Sequence, residues 1–117
     1  VGLAFCKLFM VGLDLEPVRK KARLVSNKFL SPEEKACLDI NCDLEMTKVW
    51  SGKEALYKLS ERKGIIFSKN LLLKKRSEEE WEGTIDFPER TRHVPMHIVK
   101  VNDFVLSVNS NPVYDEE

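Results

Sequence analysis

Asp43-Leu44-Glu45-Met46-Thr47-Lys48-Val49-Trp50-Ser51-Gly52-Lys53-Glu54-Ala55-Leu56-Tyr57-Lys58-Leu59-Ser60-Glu61-Arg62 reads as one helix. Met46, Val49, Leu56 and Leu59 form the apolar stripe that such a helix lays on a core. Asp43 is the expected N-cap, and Gly64 is the expected stop. On a second face, Trp50, Glu54 and Lys58 recur one turn apart. Taken alone, Glu54 and Lys58 could equally be a surface ion pair, worth about 0.3–0.5 kcal/mol.

Upstream, Val11, Leu13 and Leu15 alternate with Gly12, Asp14 and Glu16, which is strand period. Residues 4–16 are therefore expected to be extended, with Leu13 and Leu15 turned to the core and Asp14 and Glu16 together on the other face. Pro17 ends the run, and a basic helix is expected over residues 18–29, with Arg19, Lys20, Lys21, Arg23 and Lys28. That helix can face an acidic partner, a phosphate or only solvent. Ser31-Pro32-Glu33-Glu34 carries a capping box and opens a short helix that fades near Asn41.

Downstream of Gly64 the pattern changes to strands. Ile65–Lys75, Trp81–Phe87, Met96–Val101 and Phe104–Val108 are expected, the last two joined by an Asn102-Asp103 turn, with Phe104, Val105 and Leu106 in the core. Residues 109–117 read as a disordered, acidic tail. The fold class is α+β: a small antiparallel sheet packed on the long helix, in one domain of 117 residues.

The composition is that of a globular chain, 43% hydrophobic and 32% charged. With 19 basic and 19 acidic residues there is no global attraction to nucleic acid or an anionic membrane. No apolar run approaches spanning length, and the apolar start Val1–Met10 lacks the features of a signal peptide. Cys6, Cys37 and Cys42 fit neither a zinc site nor a redox pair, so reduced thiols in the cytoplasm are expected. His93 and His97 fall in the later strand region and read as surface residues.

Asp14 and Glu16 side by side repel each other unless they are solvated or a cation sits between them. Such hard oxygen ligands favour Mg²⁺ over zinc. As an isolated pentapeptide, Gly12–Glu16 also reads as a solvated strand end.

Together the two pieces are far more specific. A strand G-L-D-L-E, then W-S-G-K-E-A-L-Y-K on a helix, with Lys28-Phe29-Leu30-Ser31-Pro32-Glu33-Glu34 between, resembles the 4′-phosphopantetheinyl transferase superfamily. The resemblance covers residues 11–75 and more weakly the final strands. Trp50 before Ser51-Gly52-Lys53-Glu54 looks more like the two-lobed, surfactin-synthetase-activating type, and the chain resembles its C-terminal lobe.

The resemblance implies transfer of 4′-phosphopantetheine from coenzyme A to a serine of an acyl or peptidyl carrier protein. It implies Asp14, Glu16 and Glu54 as Mg²⁺ ligands, and Lys58 and Lys53 as the positions that meet coenzyme A. Glu54 and Lys58 would be the catalytic pair, with Glu54 helping to deprotonate the carrier serine. Residues 64–73 match the carrier-contacting region. Two-lobed members are about twice as long, and their first lobe supplies a Ser-His element that nothing in Val1–Met10 matches. The chain is thus expected to be a fragment or to complete its site by self-association, most simply as a dimer. The rival reading is a non-catalytic remnant that keeps only carrier or partner binding.

Overall fold

The computed structural model describes residues 9, 10, 12–110, 113 and 114, with side chains over 12–110. Elements run β1 (Phe9–Met10), β2 (Leu13–Pro17), α1 (Lys21–Leu24), a 3-10 turn (Ser26–Lys28), α2 (Pro32–Cys37), α3 (Asp43–Ser60), α4 (Phe67–Asn70), β3 (Leu71–Lys75), β4 (Glu80–Phe87), β5 (Arg90–Val101), β6 (Phe104–Asn109) and β7 (Val113–Tyr114). β2, β6, β5, β4 and β3 form one antiparallel sheet in that spatial order, with β2 and β3 at its edges. β1 pairs with β7 in a separate two-stranded ribbon. The expected α+β architecture is what the chain adopts.

α3 covers one face of this sheet. Met46, Val49, Leu56 and Leu59 are buried against Leu71, Leu73, Trp81, Ile85, Val94, Met96, Ile98 and Val105. Burying each large apolar side chain of this set is worth about 1.5–3 kcal/mol, so the stripe read from the sequence fastens the helix. Two glycines let it come close. A Cβ on Gly12 would lie 2.3 Å from the Ala55 carbonyl oxygen, and one on Gly52 would lie 2.7 Å from a Leu73 methyl. The glycine that opens G-L-D-L-E is thus needed so that β2 can touch the helix.

The ends of the elements depart from the sequence reading. Cys42, not Asp43, caps α3: its Sγ accepts from the Glu45 amide at 3.4 Å, while Asp43 pairs with Arg23 at 2.5 Å. Glu61 adopts the left-handed conformation (φ 53°) and closes α3 at Ser60, before Gly64 is reached. The basic helix expected over 18–29 is only one turn of helix plus the 3-10 turn, because its apolar contacts Ala22, Val25 and Phe29 suit a short wrap around α3. α4 interrupts the strand expected over 65–75, as Asn70 Oδ1 accepts from the Ile66 amide at 2.9 Å. The Ser31–Glu34 capping box is present as read. Asn109, where the tail was expected to begin, completes β6, and Val113–Tyr114 pair with Phe9–Met10; residues 111, 112 and 115–117 lie outside the described set.

One inversion matters for function. Leu13 and Leu15 do not face the core: they are 42% and 56% exposed, and Asp14 is 6% exposed. β2 turns its carboxylates toward α3 and its leucines to the open face of the sheet. There they lie near Phe104 and Val101, which are also exposed, so Phe104 is not a core residue either.

Candidate functional site

The site forms where edge strand β2 passes under α3. Strand alternation sends Asp14 and Glu16 to the helix side, and α3 turns Glu54 and Lys58 toward them. Lys58 Nζ donates to the Leu13 carbonyl oxygen at 2.9 Å and to Asp14 Oδ1 at 3.2 Å. Ser51 Oγ lies 3.5 Å from the Asp14 carbonyl oxygen. Asn109 Oδ1 accepts from the Gly12 amide at 3.0 Å and so pins the start of the strand.

The three carboxylates feel one another. Burial pushes the Glu16 carboxyl up to about 7, and hydrogen bonding with Asp14 and the charges of Asp14 and Glu54 add to this, against Arg19. Burial and then the Asp14 charge raise Glu54, while Lys58 pulls it back. Asp14 Oδ2 is buried and receives no hydrogen bond from an N–H or alcohol donor. Among the described residues, no group of three or more His, Cys, Asp or Glu side chains is placed so that it could hold a metal ion. Lys58 occupies Asp14 Oδ1 instead.

Glu16 therefore carries a testable linkage. A carboxyl raised from 4.5 to about 7 holds a proton in the folded chain that the unfolded chain releases. Its contribution to stability is greatest below about pH 4.5 and falls as pH rises toward 7. In metal-free buffer at pH 7.5, Glu16→Gln is expected to stabilise the fold by about 1 kcal/mol or less after solvent screening. Thermal melts from pH 4.5 to 7.5 check it; a variant with the same slope as wild type would mean that Glu16 does not share a proton with the cluster.

A cavity of about 260 Å³ opens beside Glu16. Pro17, Ala22, Val25 and Trp50 give it apolar walls, and Arg19 and Thr47 give it polar ones. Trp50 is held between Phe29 and Phe67, at ring-centroid separations of 5.4 and 5.5 Å.

A sequence-family model described as the 4′-phosphopantetheinyl transferase superfamily matches residues 10–108. The chain belongs to that superfamily. A search of curated proteins returned no match.

With the superfamily assigned, the positions expected from the sequence separate into two groups. Asp14, Glu16 and Glu54 are near enough for their charges to interact, and Lys58 reaches Asp14. Lys53 stands apart. It is fully buried, and its Nζ donates to the Phe29 carbonyl oxygen at 2.5 Å, Glu34 Oε1 at 2.7 Å and the Phe67 carbonyl oxygen at 3.0 Å. An ammonium has three hydrogens to donate, and all three are taken. Burial lowers its pKa while the Glu34 charge restores it in part. Lys53 therefore cannot contact coenzyme A in this conformation, and the expectation that it does is corrected.

Glu34 was legible only as half of a capping box. Its Oε1 does accept from the Ser31 amide at 2.8 Å, but Oε2 also accepts from the Leu73 amide at 2.7 Å on edge strand β3. No local signal in the sequence points to that long-range role. His97 pairs with Glu80, and His93 lies beside Thr84, both on the surface as read. No helix among the described residues is long and apolar enough to cross a membrane.

Proposed function

We propose that this chain is the metal- and coenzyme-A-binding half of a 4′-phosphopantetheinyl transferase that loads a serine of an acyl or peptidyl carrier protein. The observation that carries the reading is the interaction of the Asp14, Glu16 and Glu54 carboxylates beside Lys58 in a chain of this superfamily. Three carboxylates whose like charges repel one another are relieved by a divalent cation with a preference for hard oxygen ligands. Asp14, Glu16 and Glu54 would hold Mg²⁺, whose chemical contribution is neutralisation of charge on the pyrophosphate of coenzyme A.

The chain's own side chains supply the remainder. Lys58 is half exposed, so its ammonium can leave Asp14 Oδ1 for a phosphate oxygen. Glu54 takes the proton of the carrier serine. The serine oxygen bonds to the β-phosphorus, and the bond to the departing 3′,5′-ADP breaks. The cavity beside Glu16 shelters an apolar portion of substrate or carrier, and Arg19 and Lys21 on its wall attract an acidic carrier surface.

The test is transfer of labelled phosphopantetheine from coenzyme A to apo carrier proteins with Mg²⁺, using the chain with any native upstream segment. Transfer that stops on chelation and returns with Mg²⁺ supports the reading. Absence of transfer across fatty-acid, polyketide and peptide carriers would favour the remnant.

A further inference from the structure

Ser107 has no role in the site as described so far. It lies on β6 directly across from Asp14 in the β2–β6 register, and it is completely buried. Its Oγ has no hydrogen-bond partner, and Asp14 Oδ2 receives no hydrogen bond from an N–H or alcohol donor. Side chains directly opposite on one sheet face have Cβ atoms about 4.5–5.5 Å apart. A hydroxyl that can donate and a carboxylate oxygen that can only accept thus share one small space beneath α3. Two unpaired polar groups in such a place are costly, and folded proteins commonly resolve this with an enclosed water.

We propose that Ser107 is a positioning residue for Asp14, its hydroxyl reaching Asp14 Oδ2 through one enclosed water. The carboxylate is then held from behind. Its Oδ1 is kept facing Lys58 at 3.2 Å, on the side from which Glu54 acts. The backbone is steadied by the same face: Ser51 and Asn109 hold the Asp14 carbonyl and the Gly12 amide. A carboxylate with one oxygen anchored loses less freedom when the other binds a charge. The role in cation binding rests on the reading of Asp14 as a Mg²⁺ ligand; the contact itself does not.

Ser107→Ala, Asp14→Ala and the double variant separate the two. Asp14→Ala removes a charge that repels Glu16 and Glu54, so the variant is expected to fold. In denaturant titrations of metal-free protein, Ser107→Ala should lower the midpoint in the wild-type background and leave it unchanged in the Asp14→Ala background. A Ser107→Ala chain as stable as wild type, or one losing as much without Asp14, overturns the contact. In titration calorimetry with Mg²⁺ and coenzyme A present, Ser107→Ala should weaken Mg²⁺ binding roughly 10- to 100-fold, the scale for a residue supporting a metal ligand. Equal affinity overturns the positioning role. If wild-type protein binds no Mg²⁺, the reading of Asp14 as a ligand falls and the positioning role falls with it, whatever the stability cycle shows.

Discussion

Glu54→Gln is expected to slow phosphopantetheine transfer by roughly 10²-fold or more, the scale for loss of a general base. Its folding stability should change by no more than about 0.5 kcal/mol, and in the stabilising direction. Glu54 is half-buried, and burial and the Asp14 charge both penalise its ionised form. Glutamine keeps the shape and removes the penalty. Lys58→Ala should behave differently: it frees Asp14 Oδ1 and removes a positive charge, so KM for coenzyme A rises more than kcat falls. Single-turnover transfer and thermal melts on the same preparations separate these outcomes. A Glu54→Gln chain with wild-type turnover would show that the carboxylate cluster is not the reacting centre.

The second large effect is structural. Lys53→Met leaves the Glu34 carboxylate buried without its ammonium, and breaks bonds to the backbone carbonyls of Phe29 and Phe67, whose rings flank Trp50. Breaking a buried pair by removing one partner costs about 3–5 kcal/mol. For a domain of this size that is a fall in Tm of roughly 10–20 °C. Lys53→Met combined with Glu34→Gln should lose less than Lys53→Met alone, because no charge is then left buried and unpaired. Thermal melts of the two single variants and the double check this. A Lys53→Met chain with wild-type Tm but a raised KM for coenzyme A would restore Lys53 as a phosphate ligand.

Lys53 and Glu54 also show where local reading stops. Both are charged, both are helix formers, and they are neighbours on α3. Successive helical residues differ in direction by about 100°, so one of the two turns away from β2. The apolar stripe set the rotation of the helix, but the burial of Lys53 required Glu34, 19 residues away, to arrive beside it. A carboxylate in a capping box carries no sign of a second, distant partner.

The sequence by itself determined that α3 exists, which of its faces is apolar, and that Asp14 and Glu16 share one side of a strand. Helical and strand periods are local properties of the chain, and side-chain direction follows from them. It also determined the superfamily, through the spacing of G-L-D-L-E and W-S-G-K-E-A-L-Y-K. Tertiary structure alone decided which face of β2 is inside. Period two divides Leu13 and Leu15 from Asp14 and Glu16, but it is symmetric between core and solvent, and hydrophobicity argued for the wrong choice. The choice was made by Gly12, whose missing Cβ lets the Ala55 carbonyl approach, and by α3, which lays Lys58 across the strand. Pairing across β6 then set Ser107 opposite Asp14. The two stand 93 residues apart, a relation that register fixes and that no local pattern in the chain encodes.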